Sequence, residues 1–287
     1  MPELPEVESI AAGLRREIVG RYVRRVRVWR LVVRGPVSLK EAGRTLAGAR
    51  VIDVGRRGKR LILATDRRLA LVIQLGMTGK FLLGEPEGAG ARHVRMLIEF
   101  EEGQGLYFVD VRRFGRVWFV PQLNVADPDP AMRAAGLSAL GPEPEAITAG
   151  QFRAMLAARR PIKSLLLDQA RLAGLGNIYA DEALFGAGIH PLTVAQRLND
   201  GQAAALLRGI RQVLRRAIVH GGTTFSDFRN AYGEMGRFGA CLQVYGRTGQ
   251  PCRRCGASVR RVRIVGRSSH FCPVCQPRGG GGRRAGG

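Results

Sequence analysis

The period of the apolar pattern changes near residue 150, and this change constrains the fold more than any other feature. Between residues 22 and 120, short segments alternate apolar with polar or basic residues, and glycine-containing turns separate them. Alternation with a period of two predicts strands in an antiparallel sandwich or barrel. From residue 151, apolar residues recur at helical spacing. We therefore predict an α+β protein, in which an N-terminal antiparallel β domain with one leading helix precedes a helical domain.

The predicted elements divide the chain into five parts. Strands are predicted at 22–33, 51–54, 60–64, 69–75, 94–99, 106–110 and 116–120, and helices at 5–19, 151–159, 162–169, 177–186 and 202–220. The parts are a β domain at 1–120, a linker rich in Pro, Gly and Ala at 121–150, a helical domain at 151–242, a cysteine-rich module at 243–276 and a basic tail at 277–287. The composition of the tail predicts disorder.

The charge of the chain points to a polyanionic partner. It contains 46 Lys and Arg against 23 Asp and Glu, a formal net charge of +23. Nucleic acid is the usual partner of such a protein, and an anionic membrane surface or the ribosome are alternatives. No apolar run reaches the roughly 18 residues of a membrane span, and no signal peptide is recognised. We expect a cytoplasmic protein whose partner is a nucleic acid.

Cysteine spacing predicts a metal site. Four of the five cysteines form two pairs with CxxC spacing, separated by sixteen residues: Cys252 and Cys255, then Cys272 and Cys275. Four thiolates at this spacing predict one structural zinc ion with no open coordination position. A disulfide pair is the alternative, which a reducing compartment disfavours. Basic and apolar residues interleave between the pairs, which predicts a basic β-hairpin suited to a DNA groove. Cys241 lies outside the spacing and is predicted to be a buried thiol.

The N-terminus carries an unusual nucleophile. An initiator Met before Pro is normally removed, which leaves the secondary amine of Pro2 beside Glu3 and a helix start. The amine attacks when unprotonated, and a helix N-terminus disfavours its charged form. The alternative is a proline that only protects the terminus, followed by Glu3 as a carboxylate that complements the helix dipole.

Several short motifs resemble, in their order and spacing, those of the formamidopyrimidine-DNA glycosylase family. They are MPELPEVE at 1–8, LGMTG at 75–79, RRFG at 112–115, GLGNIYA at 174–180, GAGIHP at 186–191, GGTT at 221–224 and VYGR at 244–247, followed by the four cysteines. The resemblance covers nearly the whole chain except the tail. It implies two lobes, an eight-stranded β-sandwich flanked by helices and a helix-two-turn-helix region with a zinc finger. The expected protein is a monomer that binds double-stranded DNA containing oxidised bases or abasic sites. It also implies excision of oxidised purines, chiefly 8-oxoguanine and formamidopyrimidines, followed by strand cleavage.

The resemblance also implies residue roles. Pro2 would attack the sugar C1′ and form a Schiff base, and Glu3 would assist ring opening and shuttle protons. Lys59 and Arg267 would hold phosphates at the lesion and complete the catalytic set. Asn177 would bind phosphate at a helix start. The alternatives are a solvated basic run for Lys59 and a simple N-cap for Asn177.

Two loops would fill the gap left by an everted nucleotide. The resemblance assigns this wedge to Met77, Arg112 and Phe114, and core packing is the alternative for Met77 and Phe114. The family usually has His where this chain has Gln74, so Gln74 is an uncharged phosphate candidate. Val111 likewise stands where the family usually has Pro.

The loop at 221–240 would fold over the everted base. The alternatives to this function are an endonuclease VIII-like enzyme for oxidised pyrimidines, a catalytically inactive lesion-binding protein, and a generic zinc-ribbon nucleic-acid binder. Leu4-Pro5 and the Arg112–Phe114 segment count against the first alternative. The N-terminal β domain would be unexplained by the last.

Overall fold

The computed structural model describes residues 2–29, 32–34, 37–121, 127, 129–135, 137, 139–224 and 235–278. The chain forms two compact units. The first comprises Met1–Leu140 with Ala217–Gly239, and the second comprises Gly141–Arg216 with Ala240–Gly287. The five-part division drawn from the sequence stays a prediction.

The first unit contains most of the strands. Its helices are α1 (Leu4–Ile18), α2 (Leu39–Leu46) and α3 (Asp129–Ala134). Its strands are β1 (Val23–Val28), β2 (Val32–Arg34), β3 (Val51–Arg57), β4 (Arg60–Thr65), β5 (Leu69–Gln74), β6 (Lys80–Leu83), β7 (Val94–Phe100), β8 (Gly105–Val109) and β9 (Arg116–Pro121). Further along the chain are α4 (Ala149–Met155), α5 (Ile162–Leu166), α6 (Asn177–Gly186), α7 (Asp200–Val219), β10 (Arg260–Ile264) and β11 (Arg267–Phe271).

The strands of the first unit form two sheets around one core. One sheet has the order β1-β7-β8-β6 and the other the order β2-β9-β5-β4-β3. Apolar residues of both sheets and of α1 share a single buried cluster, because each strand turns alternate residues inward. The predicted β-sandwich and α+β class are confirmed. The predicted helices at 151–159 and 162–169 end earlier, at Met155 and Leu166.

The expectation of eight strands is wrong for the described part of the sandwich, which has nine. The single strand predicted at 22–33 is two strands, β1 and β2, which lie in different sheets. β1 pairs antiparallel with β7, whereas the three-residue β2 pairs parallel with β9. The alternation in sequence continues through both strands, so it does not reveal where the chain leaves one sheet.

Helix α1 begins where the N-terminal carboxylates cap it. Glu3 is the N-cap residue with extended backbone, and it forms a reciprocal capping box with Glu6. Pro5 lies in the first turn, where its missing N–H costs no hydrogen bond. The apolar stripe of α1 is buried in the sandwich core. Because Pro2 and Glu3 lead directly into α1, this packing holds them close to the sandwich, and both are buried.

One end of the five-stranded sheet carries two predicted phosphate ligands, Lys59 and Gln74. Lys59 lies in the turn between β3 and β4. The next residue, Arg60, is the register partner of Gln74, which in turn faces Arg116 on β9. The segment after β5 and the segment before β9 leave from this same end of the sheet.

The second unit joins helices to a two-stranded hairpin. Lys163 on α5 is fully buried, and its Nζ donates to the Asp181 carboxylate and to the Asn177 carbonyl of α6. The Asp181 carboxylate also accepts hydrogen bonds from Ser269 Oγ at 2.7 Å and His270 N at 2.8 Å on β11. This buried network fixes the hairpin to α6. None of the helices within the described residues is long and apolar enough to cross a membrane.

Candidate functional site

The N-terminal segment is buried and tied to the segment after α7. Pro2 and Glu3 are both buried. Glu6 Oε2 accepts a hydrogen bond from Glu3 N at 2.8 Å, and Glu6 Oε1 accepts one from Thr223 N at 2.7 Å. Gly222 has a φ of +83°, and a Cβ there would lie 2.8 Å from Glu6 Oε1. The Glu6 carboxylate thus links the start of α1 to the beginning of the predicted lesion-capping loop.

The two ends of that loop are held together. Thr223 and Arg237 form an antiparallel bridge, and Gly236 N donates to Thr224 Oγ1 at 2.8 Å. The middle of the predicted loop, 225–234, lies outside the described residues. The position of the loop is therefore defined at its base, next to Glu6.

The predicted basic run before β4 is largely paired with acids. Arg56 Nε lies 2.6 Å from Glu8 Oε2, and Arg57 Nε lies 3.1 Å from Asp129 Oδ1. A uniformly solvated run is therefore the wrong description of this segment. Lys59 is partly buried in the turn that follows these two arginines.

The three predicted wedge residues lie on adjacent loops of the first unit. Met77 is 46% exposed and Phe114 is 48% exposed, so core packing is wrong for both. The Arg112 guanidinium lies over the Phe114 ring at 4.7 Å from its centroid. The loops touch through their backbones, because a Cβ on Gly76 would lie 2.7 Å from the Phe114 carbonyl carbon.

The second unit brings Asn177 beside the hairpin. Helix α6 begins at Asn177 with Gly176 as its N-cap residue, so the N-cap alternative for Asn177 is wrong. Asn177 Nδ2 donates to the Ser268 carbonyl at 2.9 Å, and Asn177 Oδ1 is buried without a hydrogen-bond partner among the described residues. Arg267, immediately before Ser268, is exposed. The two phosphate candidates of this unit are thus linked through one hydrogen bond.

The predicted basic hairpin is present as β10 and β11. Ile264 faces Arg267 across a two-residue turn in which Val265 has a φ of +46° and Gly266 a φ of +72°. Positive φ at both turn positions matches the twist of the flanking strands, although it is unusual for a β-branched residue. Val265 is 77% exposed at the tip. The hairpin therefore presents a narrow apolar tip between exposed arginines, which are Arg260, Arg261, Arg263 and Arg267.

The four predicted metal ligands converge at the base of the hairpin. Their Sγ atoms all lie within 4.8 Å of one another, with 3.9 Å between Cys252 and Cys275 and 3.4 Å between Cys255 and Cys272. Thiolates on a tetrahedral zinc ion are about 3.8 Å apart for Zn–S bonds of about 2.3 Å. The cysteines are not joined as disulfides, so that alternative is wrong. The donor set fits one structural zinc ion. Cys241, predicted to be buried, is only partly so.

Backbone groups support the thiolates that such an ion requires. Arg254 N lies 3.4 Å from Cys252 Sγ, and Cys275 N lies 3.4 Å from Cys272 Sγ. Burial raises the pKa of the Cys272 and Cys275 thiols. Burial also opposes ionisation of Cys252, but N–H donors from Arg254 and Cys255, together with hydrogen bonds to the Cys272 and Cys255 thiols, lower its pKa to about 7. Zinc held by the four cysteines would therefore stabilise the hairpin and leave no coordination position for substrate.

Several residues that shape these sites were not identified from the sequence. Thr78 and Asp110 join the wedge loops, Lys163 joins α5 to α6, and Asp181 joins α6 to β11. The sequence offers one signal for these acids: Asp110 directly follows an apolar strand, and Asp181 lies within an apolar helix. Their partners lie far away in sequence, so the pattern does not reveal what they bind.

The chain thus combines a β-sandwich that carries the buried N-terminal segment, a helical unit and a four-cysteine cluster. Family models match three successive parts of the chain: the formamidopyrimidine-DNA glycosylase N-terminal domain at residues 1–117, the formamidopyrimidine-DNA glycosylase H2TH domain at 140–229, and the zinc finger found in FPG and IleRS at 249–278. The chain belongs to the formamidopyrimidine-DNA glycosylase family.

Individual relatives agree with this assignment over nearly their full lengths. The formamidopyrimidine-DNA glycosylase of Parasynechococcus marenigrum (strain WH8102) is 45% identical over 286 residues, which cover 96% of this chain and 100% of the relative. The crystal structure of MutM (FPG) from Thermus thermophilus matches with a TM-score of 0.82 and 40% identity, covering 97% of this chain and 100% of the other. The complex of Lactococcus lactis Fpg with DNA containing an abasic site matches with a TM-score of 0.85 and 33% identity, covering 96% and 100%.

Proposed function

We propose that this protein is a bifunctional DNA glycosylase and abasic-site lyase of base excision repair, which removes 8-oxoguanine and formamidopyrimidines through Pro2. The observation that carries the proposal is the buried N-terminal segment. Pro2 leads directly into the capped start of α1, and Glu6 joins that start to Thr223. Membership of the family, and a relative bound to DNA with an abasic site, support the same chemistry.

The first half of the reaction forms a covalent intermediate. The lone pair of the Pro2 nitrogen attacks C1′ of the damaged nucleotide, and the bond from C1′ to the base breaks as the base leaves with a proton. Glu3 assists opening of the sugar ring, and the resulting intermediate is an iminium. A terminal amine has a pKa of roughly 8, and the adjacent N-terminus of α1 disfavours its charged form.

The second half breaks the strand. The iminium withdraws electrons from C1′ and acidifies the C2′ proton, so loss of that proton expels the 3′ phosphate. A further elimination expels the 5′ phosphate, and water then releases the sugar fragment from Pro2. The positive charge of the iminium makes both eliminations easier, because it accepts the electron pairs that each proton loss supplies.

Residues in both units hold the DNA in this proposal. Lys59 and Gln74 in the first unit, and Asn177 and Arg267 in the second, bind phosphates near the lesion. Gln74 donates a hydrogen bond without the charge that a protonated His would supply, so its phosphate contact is weaker. Met77, Arg112 and Phe114 occupy the space of the everted nucleotide, with Arg112 facing the orphaned base.

The protein is proposed to act in the bacterial cytoplasm, associated with the nucleoid through DNA binding. Its net charge of +23 favours binding to undamaged duplex as well as to lesions. One zinc ion on the four cysteines keeps the β10–β11 hairpin folded for contact with DNA.

Borohydride trapping tests the nucleophile. Reduction of the iminium by borohydride should join the protein covalently to a duplex with one 8-oxoguanine opposite cytosine. Pro2→Gly should lower the trapped yield at least tenfold, because it replaces the secondary amine. Pro5→Gly makes the same change within the first turn of α1 and should trap like the unchanged protein. Equal trapping by Pro2→Gly would refute the assignment of Pro2.

Two further measurements complete the test. The intact mass of the purified protein should lack Met1, since a retained Met1 blocks the amine and indicates a lesion-binding protein without catalysis. Cleavage of 8-oxoguanine duplex should exceed cleavage of thymine glycol duplex. The reverse order would assign the enzyme to oxidised pyrimidines.

A further inference from the structure

A fully buried carboxylate lies between the two wedge loops. Asp110, directly after β8, has 0% exposure. It accepts hydrogen bonds from Thr78 Oγ1 at 2.5 Å and from Gly115 N at 2.7 Å. Thr78 Oγ1 in turn accepts one from Arg112 N at 3.0 Å. One carboxylate and one hydroxyl therefore connect the loop that carries Met77 to the loop that carries Arg112.

The backbone around this connection is close-packed and strained. Gly76 has a φ of +72°, and a Cβ on it would clash with the backbone of Phe114 and Gly115. Arg113 has a φ of +57°, a left-handed conformation that disfavours a residue with a side chain. Such strain destabilises the backbone and persists only where the surrounding contacts hold it in place. The Thr78–Asp110 hydrogen bonds flank Arg113 and provide those contacts.

The side chains that the two loops present are apolar and unusually exposed. Met77, Val111 and Phe114 are 46%, 54% and 48% exposed, respectively. The interaction of Arg112 with the Phe114 ring orders its guanidinium on the same surface. Clustered exposed apolar side chains mark a surface that a partner covers. A rigid support beneath them lowers the conformational entropy lost when that partner binds.

The Asp110 carboxylate holds the two loops together firmly, because separating them would leave this buried group without its hydrogen-bond partners. Within the described residues, the Asp110 carboxylate receives hydrogen bonds from Thr78 and Gly115, which belong to the two loops. The Arg95 guanidinium donates instead to the Asp110 backbone carbonyl at 3.0 Å. A buried polar group that loses its hydrogen-bond partner keeps its full desolvation cost, so this separation is unfavourable. The loops therefore keep one relative arrangement rather than several.

We propose that Thr78 and Asp110 are positioning residues that lock the two loops into a single wedge. Neither side chain touches DNA; they act through Met77, Arg112 and Phe114. These hydrogen bonds fix the position of Arg112 relative to Met77 and Phe114. The Arg112 guanidinium therefore meets the orphaned base in one geometry. It thereby sets the preference for cytosine over adenine opposite the lesion. This inference rests on the proposed function, because that function supplies the wedge roles.

A pair of matched threonine variants tests the lock. Thr78→Val keeps the shape of the side chain and removes the hydroxyl. Thr65→Val does the same at another buried threonine of the first unit, whose Oγ1 donates to the Leu69 carbonyl at 2.6 Å at the far end of β4. Thr78→Ser retains the hydroxyl and should restore the unchanged behaviour. All three variants should be compared at equal folded fraction, established by thermal unfolding.

Two readouts separate positioning from general stability. Thr78→Val should lower single-turnover excision of 8-oxoguanine opposite cytosine about tenfold, the factor that corresponds to about 1.4 kcal/mol. It should also reduce the ratio of rates opposite cytosine and adenine. On a duplex with a tetrahydrofuran abasic analogue beside 2-aminopurine, Thr78→Val should diminish the fluorescence rise that accompanies wedge insertion. Thr65→Val should change neither readout by more than about twofold.

The outcomes distinguish this inference from the proposed function. If Thr78→Val matches Thr65→Val in both readouts, the lock is refuted even though the unchanged protein excises 8-oxoguanine. If the unchanged protein fails to excise 8-oxoguanine, the proposed function is refuted. The fluorescence comparison on the tetrahydrofuran duplex then still supports or overturns the lock, because it needs no excision.

Discussion

At the scale of single residues, the three glutamates near the N-terminus have different environments. Glu3 caps α1 and is buried. Glu6 is buried and accepts from two backbone N–H groups, one of them distant in sequence. Glu8 is partly exposed and pairs with Arg56. From residue type alone, each of the three could simply complement the helix dipole, whereas their neighbours in the structure give each a different environment.

Glu6→Gln should be much more harmful than Glu8→Gln. An amide at Glu6 would point its NH₂ group at one of the two N–H donors, Glu3 N or Thr223 N. We expect a loss of about 1–3 kcal/mol in the free energy of unfolding, against about 0–1 kcal/mol for the ion pair of Glu8. Urea unfolding measures both values.

The same pair of variants reports on the loop base. Glu6→Gln detaches Thr223 from residue 6, so this variant should excise the base more slowly than Glu8→Gln. The two rates should be compared at urea concentrations at which both variants are folded. Glu8→Gln provides the control, because it removes the same charge one helical half-turn away. Equal stabilities and equal excision rates for the two variants would show that Glu6 has no special role.

At the scale of elements, the β10–β11 hairpin depends on two supports. The four cysteines converge at its base, and Asp181 fixes β11 to α6. Between these supports, Arg267 is exposed next to Ser268, whose carbonyl binds Asn177. Zinc would thus stabilise the element that carries one proposed phosphate ligand, Arg267, and contacts another, Asn177.

Loss of zinc should unfold the hairpin and leave the sandwich folded. Cys272→Ser should abolish the single equivalent of bound zinc, because it removes one of four thiolate ligands. Amide hydrogen exchange should accelerate in β10 and β11 and stay slow in the β-sandwich, and affinity for abasic-site DNA should fall at least tenfold. Metal analysis and exchange mass spectrometry provide these measurements.

Cys241→Ser is the matched control for that experiment. Cys241 lies outside the group of four, and the variant should retain zinc, hairpin protection and DNA affinity. Full zinc content in Cys272→Ser would contradict a four-cysteine site.

At the scale of the whole molecule, charge governs binding to undamaged DNA. The net charge of +23 exceeds what a few specific phosphate contacts require. The segment 278–287 contains three basic residues, Arg278, Arg283 and Arg284. Because counterion release scales with the number of neutralised phosphates, these residues should add affinity that does not depend on sequence or damage.

Deleting residues 278–287 should weaken binding to undamaged duplex and reduce its salt dependence. The slope of log K against log salt should fall by up to about 3, since each phosphate contact contributes about 0.9. Replacing Arg283 and Arg284 by Gln in the full-length chain keeps the length and should reproduce part of the change. Single-turnover excision should differ little, and an unchanged slope would exclude a role for these arginines in DNA binding.

The sequence by itself determined the features that depend on local pattern. Alternation of apolar residues predicted the strands, helical spacing predicted α6 and α7, and the CxxC pairs predicted a four-cysteine cluster, because each signal lies within a few residues of chain. The order of short motifs also indicated the family. The structure agrees with these predictions, because the spacing of residues along a helix or strand directly determines which side chains lie on the same face.

Only the tertiary structure decided how the site residues are supported. It showed Thr223 bound to Glu6, Thr78 bound to Asp110, and Lys163 bound to Asp181. It also divided the alternating segment at 22–33 between two sheets. Spacing does not encode these outcomes, because a buried polar group takes whichever partner the packing brings within hydrogen-bonding distance. The chemistry proposed for the N-terminus was inferred from the sequence, whereas the contacts that hold its residues in place are a property of the folded chain.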